Sequence, residues 1–116
     1  MSRPDTATDD AYVELAVEVF GLLADATRVR IIQALTGTPE LSVNELAQHL
    51  GKAPAAVSQH LARLRLARIV ATRQDGQKVF YRLANEHAGE LVRSAIYQAE
   101  HSLGGTPRHH LTEGRS

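Results

Sequence analysis

Apolar residues recur at helical spacing along most of this chain, and the period shortens only between Ile69 and Leu83. Val43, Leu46, Ala47 and Leu50 share one helical face. Ser42 and Glu45 stand before them as an S-x-x-E capping box, so a helix is predicted to start at Val43. Gly51 ends it, because glycine enters the left-handed region without a Cβ clash. Pro54 suits the first turn of a second helix reaching about Leu66, with Val57, Leu61, Leu64 and Ala67 as its apolar stripe. The opposite face of that helix carries Ser58, Gln59, His60, Arg63 and Arg65. Residues 69–73 and 77–83 are rich in β-formers around Asp75-Gly76, which signals a hairpin. Two short helices about a glycine turn, followed by a hairpin, make a winged helix-turn-helix, in which the second helix enters the major groove of DNA.

Three further helices flank this unit. The first is predicted over Asp9–Leu23, with Val13, Ala16, Val17, Phe20 and Leu23 on its main apolar face and Leu15, Val19 and Leu22 widening it. The second, Ala26 to about Leu35, is capped by Asp25 and broken by Gly37-Thr38-Pro39. The last is predicted from Glu86 to Leu103, capped by Asn85 and ended by Gly104-Gly105. The fold class is therefore mainly α with a small β-hairpin, in the order helix-helix-helix-helix-hairpin-helix. Residues 1–8 are expected to be a flexible N-terminus, 9–103 the DNA-binding domain with its dimerisation helices, and 104–116 a polar tail. The first and last helices lie outside the reading unit and are both unusually apolar. A homodimer paired through them is expected, which sets two reading helices about one DNA turn apart on an inverted repeat.

Charge sharpens this picture. The 116-residue chain balances 13 basic against 13 acidic residues, yet Lys52, Arg63, Arg65, Arg68, Arg73, Lys78 and Arg82 face a single acid, Asp75, between positions 52 and 82. Such local asymmetry marks a nucleic-acid face. Ser58, Gln59 and His60 are the candidates for base edges, Gln59 being suited to adenine. Lys52, Arg63, Arg73 and Lys78 are the candidates for phosphates. No apolar run is long enough to span a bilayer, and the acidic start lacks a signal-peptide core, so a cytoplasmic protein without membrane contact is expected. There is no cysteine, hence no disulfide or thiolate metal site. The sequence holds no H-E-x-x-H, nucleophile elbow or Gly-rich phosphate loop, and catalysis is not expected.

The segments LLADATRVRIIQAL, SVNELAQHLGKAPAAVSQHLARLRLARIV and RQDGQKVFYRL together resemble the ArsR/SmtB family of bacterial metal-responsive repressors, from about Phe20 to His101. The resemblance implies a regulator that binds double-stranded operator DNA and releases it when metal binds. One family site uses cysteines in an ELCVCDL-like stretch. Here that stretch reads ELSVNEL, with Ser42 and Asn44 in place of the thiolates. A second family site takes Asp-x-His and His-x-x-His or Glu on the last helix. Here it reads Asn85-x-His87 and Gln98-x-x-His101, and neutral amides bind borderline metals weakly. The stretches NEH, AEH and PRHH are similar to the KmtR-type nickel/cobalt sensors of actinobacteria. That narrower resemblance implies His87, Glu100, His101, His109 and His110 as ligands, a nitrogen and oxygen set suited to nickel or cobalt, with zinc possible.

His87 and His101 are separated by ~21 Å of helix, so one ion cannot join them within a protomer. They lie within ~40° of one another around the helix. Antiparallel pairing of the last helices brings His87 of one protomer to His101 of the partner subunit, where the tail can add His109 and His110. Glu100 points ~100° away from His101, and Gln98 is better aimed but poorer chemically. His49 and His60 are expected on the surface or toward DNA. A zinc sensor and a metal-independent regulator of the same family are the alternatives.

Overall fold

A computed structural model describes residues 4–102, with side chains from Asp9 onward. The elements run α1 (Pro4–Leu23), α2 (Ala26–Gly37), β1 (Leu41–Ser42), α3 (Val43–Leu50), α4 (Pro54–Leu66), β2 (Val70–Asp75), β3 (Lys78–Leu83) and α5 (His87–Ser102). The order is the expected winged helix-turn-helix, with one strand added. Leu103 and the tail over 104–116 lie outside the described residues.

Local chemistry sets most boundaries. The Asp25 carboxylate accepts from the Arg28 backbone N–H at 3.0 Å and starts α2. Ser42 Oγ accepts from Glu45 N at 3.1 Å while Glu45 Oε1 accepts from Ser42 N at 2.8 Å, which completes the capping box of α3. Gly51, at φ 68°, closes α3 in the left-handed conformation. Asn85 Oδ1 accepts from His87 N at 2.9 Å at the head of α5. The same left-handed conformation ends α4 at Arg68, φ 63°, where Ile69 N donates back to Leu64 O at 2.9 Å. An arginine there carries the Cβ strain that glycine avoids, on the order of 1–2 kcal/mol.

The structure corrects three expectations. α1 begins at Pro4, five residues before the expected Asp9. β1 is a two-residue strand that pairs Leu41 with Tyr81 and Ser42 with Phe80, too short to leave a periodic signal. The hairpin register pairs Asp75 with Lys78, so the turn residues are Gly76 and Gln77 rather than Asp75 and Gly76. Positive φ falls at Gly76 alone in that turn, the pattern of a type II′ hairpin with glycine first. The register sets Arg73 opposite Phe80 and Ala71 opposite Arg82. The core-facing partners are Val70 and Leu83, and Thr72 and Tyr81.

The core lies between α2, α3, α4 and the sheet, with Ile31, Ile32, Leu46, Val57, Leu61 and Leu64 fully buried. Val57, Leu61 and Leu64 are the expected stripe of α4; Ala67 is exposed as its C-cap. α5 packs on α2 where Gly89 is buried, since a Cβ there would meet Thr36 Oγ1 at 2.8 Å. α1 differs from the rest. Leu23 is buried, but Val13, Val17 and Phe20 of its expected inner face are exposed, Val17 by 62% and Phe20 by 57%. An apolar groove of about 270 Å³ runs between α1 and α5, lined by Phe20, Leu23, Leu91, Ala95, Ile96 and Ala99 among others. Among the described residues no helix is long and apolar enough to cross a membrane.

Candidate functional site

Helix α4 and the wing present the basic face predicted from the sequence. Ser58, Gln59 and Arg63 are exposed on α4, Lys52 on the turn before it, and Arg73 and Lys78 on the wing. Arg73, Phe80 and Ser42 share the outer face of the sheet, by their register. Pro54 at the start of α4 and the Gly51 turn aim that helix away from α3, leaving its Ser58–Gln59 face uncovered.

Two of the expected DNA contacts are engaged within the chain. His60 is half-buried, and its Nδ1 accepts from Arg28 Nε at 3.1 Å, with Asp25 Oδ1 at 4.0 Å. Since Nδ1 accepts, the neutral ring carries its hydrogen on Nε2 and can only donate there. Arg73 donates Nε to Glu40 Oε2 at 3.1 Å, pairs through Nη2 with Glu40 Oε1, and sits 4.9 Å above the centre of the Phe80 ring. Glu40 is thereby held below the usual carboxylate range, first by the side-chain hydrogen bond from Arg73 and then by the charges of Arg73 and Arg82. The same pairing raises Arg73 above its ordinary value. Asp25 is likewise lowered, chiefly by the backbone N–H of Arg28, with smaller contributions from the charges of His60 and Arg28. Sequence reasoning missed Arg28 and Glu40. Each meets its partner more than thirty positions away, which no local pattern announces.

Three of the five candidate metal ligands fall on α5. His87 opens the helix and His101 and Glu100 close it, all exposed. They do not converge within one chain: no group of three His, Asp or Glu side chains able to hold an ion occurs among the described residues. His109 and His110 lie outside the described residues. His101 is oriented by its own helix. Its Nδ1 is 3.1 Å from Tyr97 O, and its ring meets Tyr97 edge-on with centroids 4.3 Å apart. A carbonyl only accepts, so Nδ1 carries the hydrogen and Nε2 keeps its lone pair outward. Gln98 Nε2 instead donates to Ser102 Oγ at 3.3 Å.

Comparison with known proteins places this architecture. The family model described as "Bacterial regulatory protein, arsR family" matches residues 25–72, from the α2 cap into β2. The chain is 55% identical over 113 residues to the HTH-type transcriptional regulator KmtR of Mycobacterium tuberculosis, covering 97% of this chain and 85% of that protein. It is 32% identical over 109 residues to the HTH-type transcriptional regulator NmtR of the same organism, covering 93% and 90%. Among solved structures, the AntR antimony-specific transcriptional repressor superposes with a TM-score of 0.73 at 30% identity, covering 81% of this chain and 85% of that one. These relatives are DNA-binding regulators rather than enzymes. A winged helix-turn-helix with an exposed basic face, matched along nearly its whole length by such regulators, makes this chain a transcriptional regulator belonging to the ArsR family.

Proposed function

We propose that two copies of this chain pair through α1 and α5, bind an inverted-repeat operator through α4 and the wing, and repress transcription until nickel or cobalt binds. The exposed apolar face of α1 and the groove it forms with α5 support the pairing. Ser58 and Gln59 read base edges, Nε2–H of His60 adds one donor beside them, and Lys52, Arg63, Arg73 and Lys78 hold phosphates. Arg73 must exchange Glu40 for a phosphate oxygen as it does so.

The metal reading rests on one observation above all: the hydrogen bond from His101 Nδ1 to Tyr97 O leaves Nε2 free to bind a cation. His87, Glu100 and His101 supply imidazole and carboxylate donors without sulfur, a set that suits nickel or cobalt. His109 and His110 are the expected remaining ligands. Since His87 and His101 stand at opposite ends of α5, both protomers must contribute to each site. A bound divalent ion would supply a crosslink between the two α5 helices. The chain's own residues carry that constraint to DNA: α5 is seated on α2 at Gly89, and α2 abuts α4 through Arg28 and His60. Binding of metal and of operator then oppose each other by the same factor.

Operator affinity measured with and without nickel, cobalt and zinc, in wild type and in a His109→Ala/His110→Ala variant, tests this. Affinity should fall with nickel or cobalt in wild type and fall much less in the variant. Operator binding indifferent to all three metals would identify a metal-independent regulator. A response to zinc alone would identify a zinc sensor.

A further inference from the structure

We propose that Arg28 is a positioning residue for DNA reading: it holds α4 against the end of α1 through the imidazole of His60, and protonation of that imidazole releases the hold. The inference rests on α4 being the helix that enters the major groove. One guanidinium makes both connections. Arg28 Nη1 donates to Leu22 O in the last turn of α1 at 2.7 Å, and Arg28 Nε donates to His60 Nδ1 in the middle of α4 at 3.1 Å. The planar fork fixes the angle between the two bonds, so α1 and α4 are set relative to each other through a rigid group. The base of Arg28 is itself fixed, since its backbone N–H donates to the Asp25 carboxylate at 3.0 Å. His60 follows Ser58 and Gln59 directly on α4, so a shift of the helix at His60 carries the proposed base-reading residues with it. α1 is also the helix whose exposed apolar side is proposed to meet a second copy. The link therefore carries the set of the dimer helix to the reading helix.

The contact depends on protonation by its chemistry. A neutral imidazole accepts at Nδ1, whereas the cation has two donors and no acceptor. Once charged, the ring faces a guanidinium of like sign, with Asp25 Oδ1 4.0 Å from Nδ1, beyond hydrogen-bond distance. Arg28 and Asp25 are the charged groups that face it from α2. Arg63 stands one turn along its own helix, with Glu18 of α1 lining the same groove as Arg63. Among the described residues no hydrogen bond or ion pair reaches His60 from α3 or β2. The hold thus exists only while the ring is neutral.

Two measurements on the full chain test this. Long-range proton–nitrogen correlation spectra of the imidazoles should show His60 as the Nε2–H tautomer in wild type, and this preference should weaken in Arg28→Ala. Binding to an inverted-repeat duplex selected from a random pool should weaken on the order of tenfold in Arg28→Ala at pH 7.5, about the worth of the bond to His60 alone, of the two side-chain bonds that the variant loses. Arg28→Lys keeps the charge but lacks the fork, and should lose nearly as much; it also serves if the alanine variant does not fold. Wild type should lose a similar factor on acidification in step with protonation of the His60 ring, followed by its own nitrogen shifts, while neither variant shows a loss in that step. His60 found as the Nδ1–H tautomer, variants with wild-type affinity, or variants with the wild-type pH profile would each overturn the proposal. A wild-type protein with no preference for any duplex would instead refute the reading of α4, and the tautomer would still decide whether the link exists.

Discussion

Gly89→Ala tests how tightly α5 is seated on the domain. Gly89 is the third residue of α5, in its first turn, and is buried against α2. In an open helix interior the change would stabilise by up to about 1 kcal/mol, because alanine loses less backbone entropy than glycine. Here the new Cβ would stand 2.8 Å from Thr36 Oγ1, with Thr36 Cγ2 at 3.6 Å and Leu83 Cδ1 at 3.5 Å. Thr36 can yield by rotating about χ1, but Oγ1 then gives up its 2.7 Å hydrogen bond to Ile32 O. Another staggered rotamer brings the methyl toward the same space. Overpacking of this kind costs about 1–3 kcal/mol, so the net effect should be a loss of roughly 1 kcal/mol. In a Thr36→Ala background the obstructing atoms are gone, and the same substitution should become neutral or stabilising by about 0.5–1 kcal/mol. The assay is urea unfolding followed by circular dichroism at one fixed protomer concentration, since association shifts apparent stability. The quantity of interest is the coupling between the two sites in the double-mutant cycle. If Gly89→Ala stabilises the wild-type chain, or changes stability equally in both backgrounds, the close seat of α5 on α2 is not real.

Ser42→Ala removes one half of the capping box and should cost about 1 kcal/mol, read as a lower urea midpoint with an unchanged slope. Glu40→Gln should free Arg73, strengthening binding to random-sequence DNA and steepening its salt dependence by roughly one phosphate contact; an unchanged slope would mean that Arg73 does not reach phosphate. Acid should weaken the fold through Asp25 and Glu40, both lowered from ordinary values of 3.8 and 4.5. The folded state holds fewer protons at these groups, so their stabilisation is present above those values and lost as pH falls through the folded ones. A urea midpoint that holds steady from pH 6 to pH 3 would contradict this.

What the sequence disclosed was local. The Ser42–Glu45 box, Gly51, Pro54 and the Val57–Leu61–Leu64 stripe act within one or two turns, and each lies where its chemistry requires. Asp75-Gly76 announced a hairpin but not its register: the motif favours itself as the turn pair, and the chain instead uses glycine first in a II′ turn. β1 has no pattern of its own and exists because β3 offers an open edge beside it. The basic residues of the reading face were legible as a cluster. Their engagements were not, because Arg73 is held by Glu40 and His60 by Arg28 across most of the domain. On α5 the types of the proposed ligands and their spacing around the helix were legible. Their convergence is proposed to need two chains, since among the described residues of one chain no group of three such side chains gathers. The exposed face of α1 is a similar case: its periodicity was readable, and the single chain leaves it uncovered, which the proposed second copy would change.

Paired chains are proposed to grip DNA through α4 and the wing. Sedimentation of the protein with a duplex selected from a random pool measures this directly. Two chains per duplex, on a site with two matching halves centred about ten base pairs apart, is the expected result. One chain per duplex, on a site without internal symmetry, would contradict it.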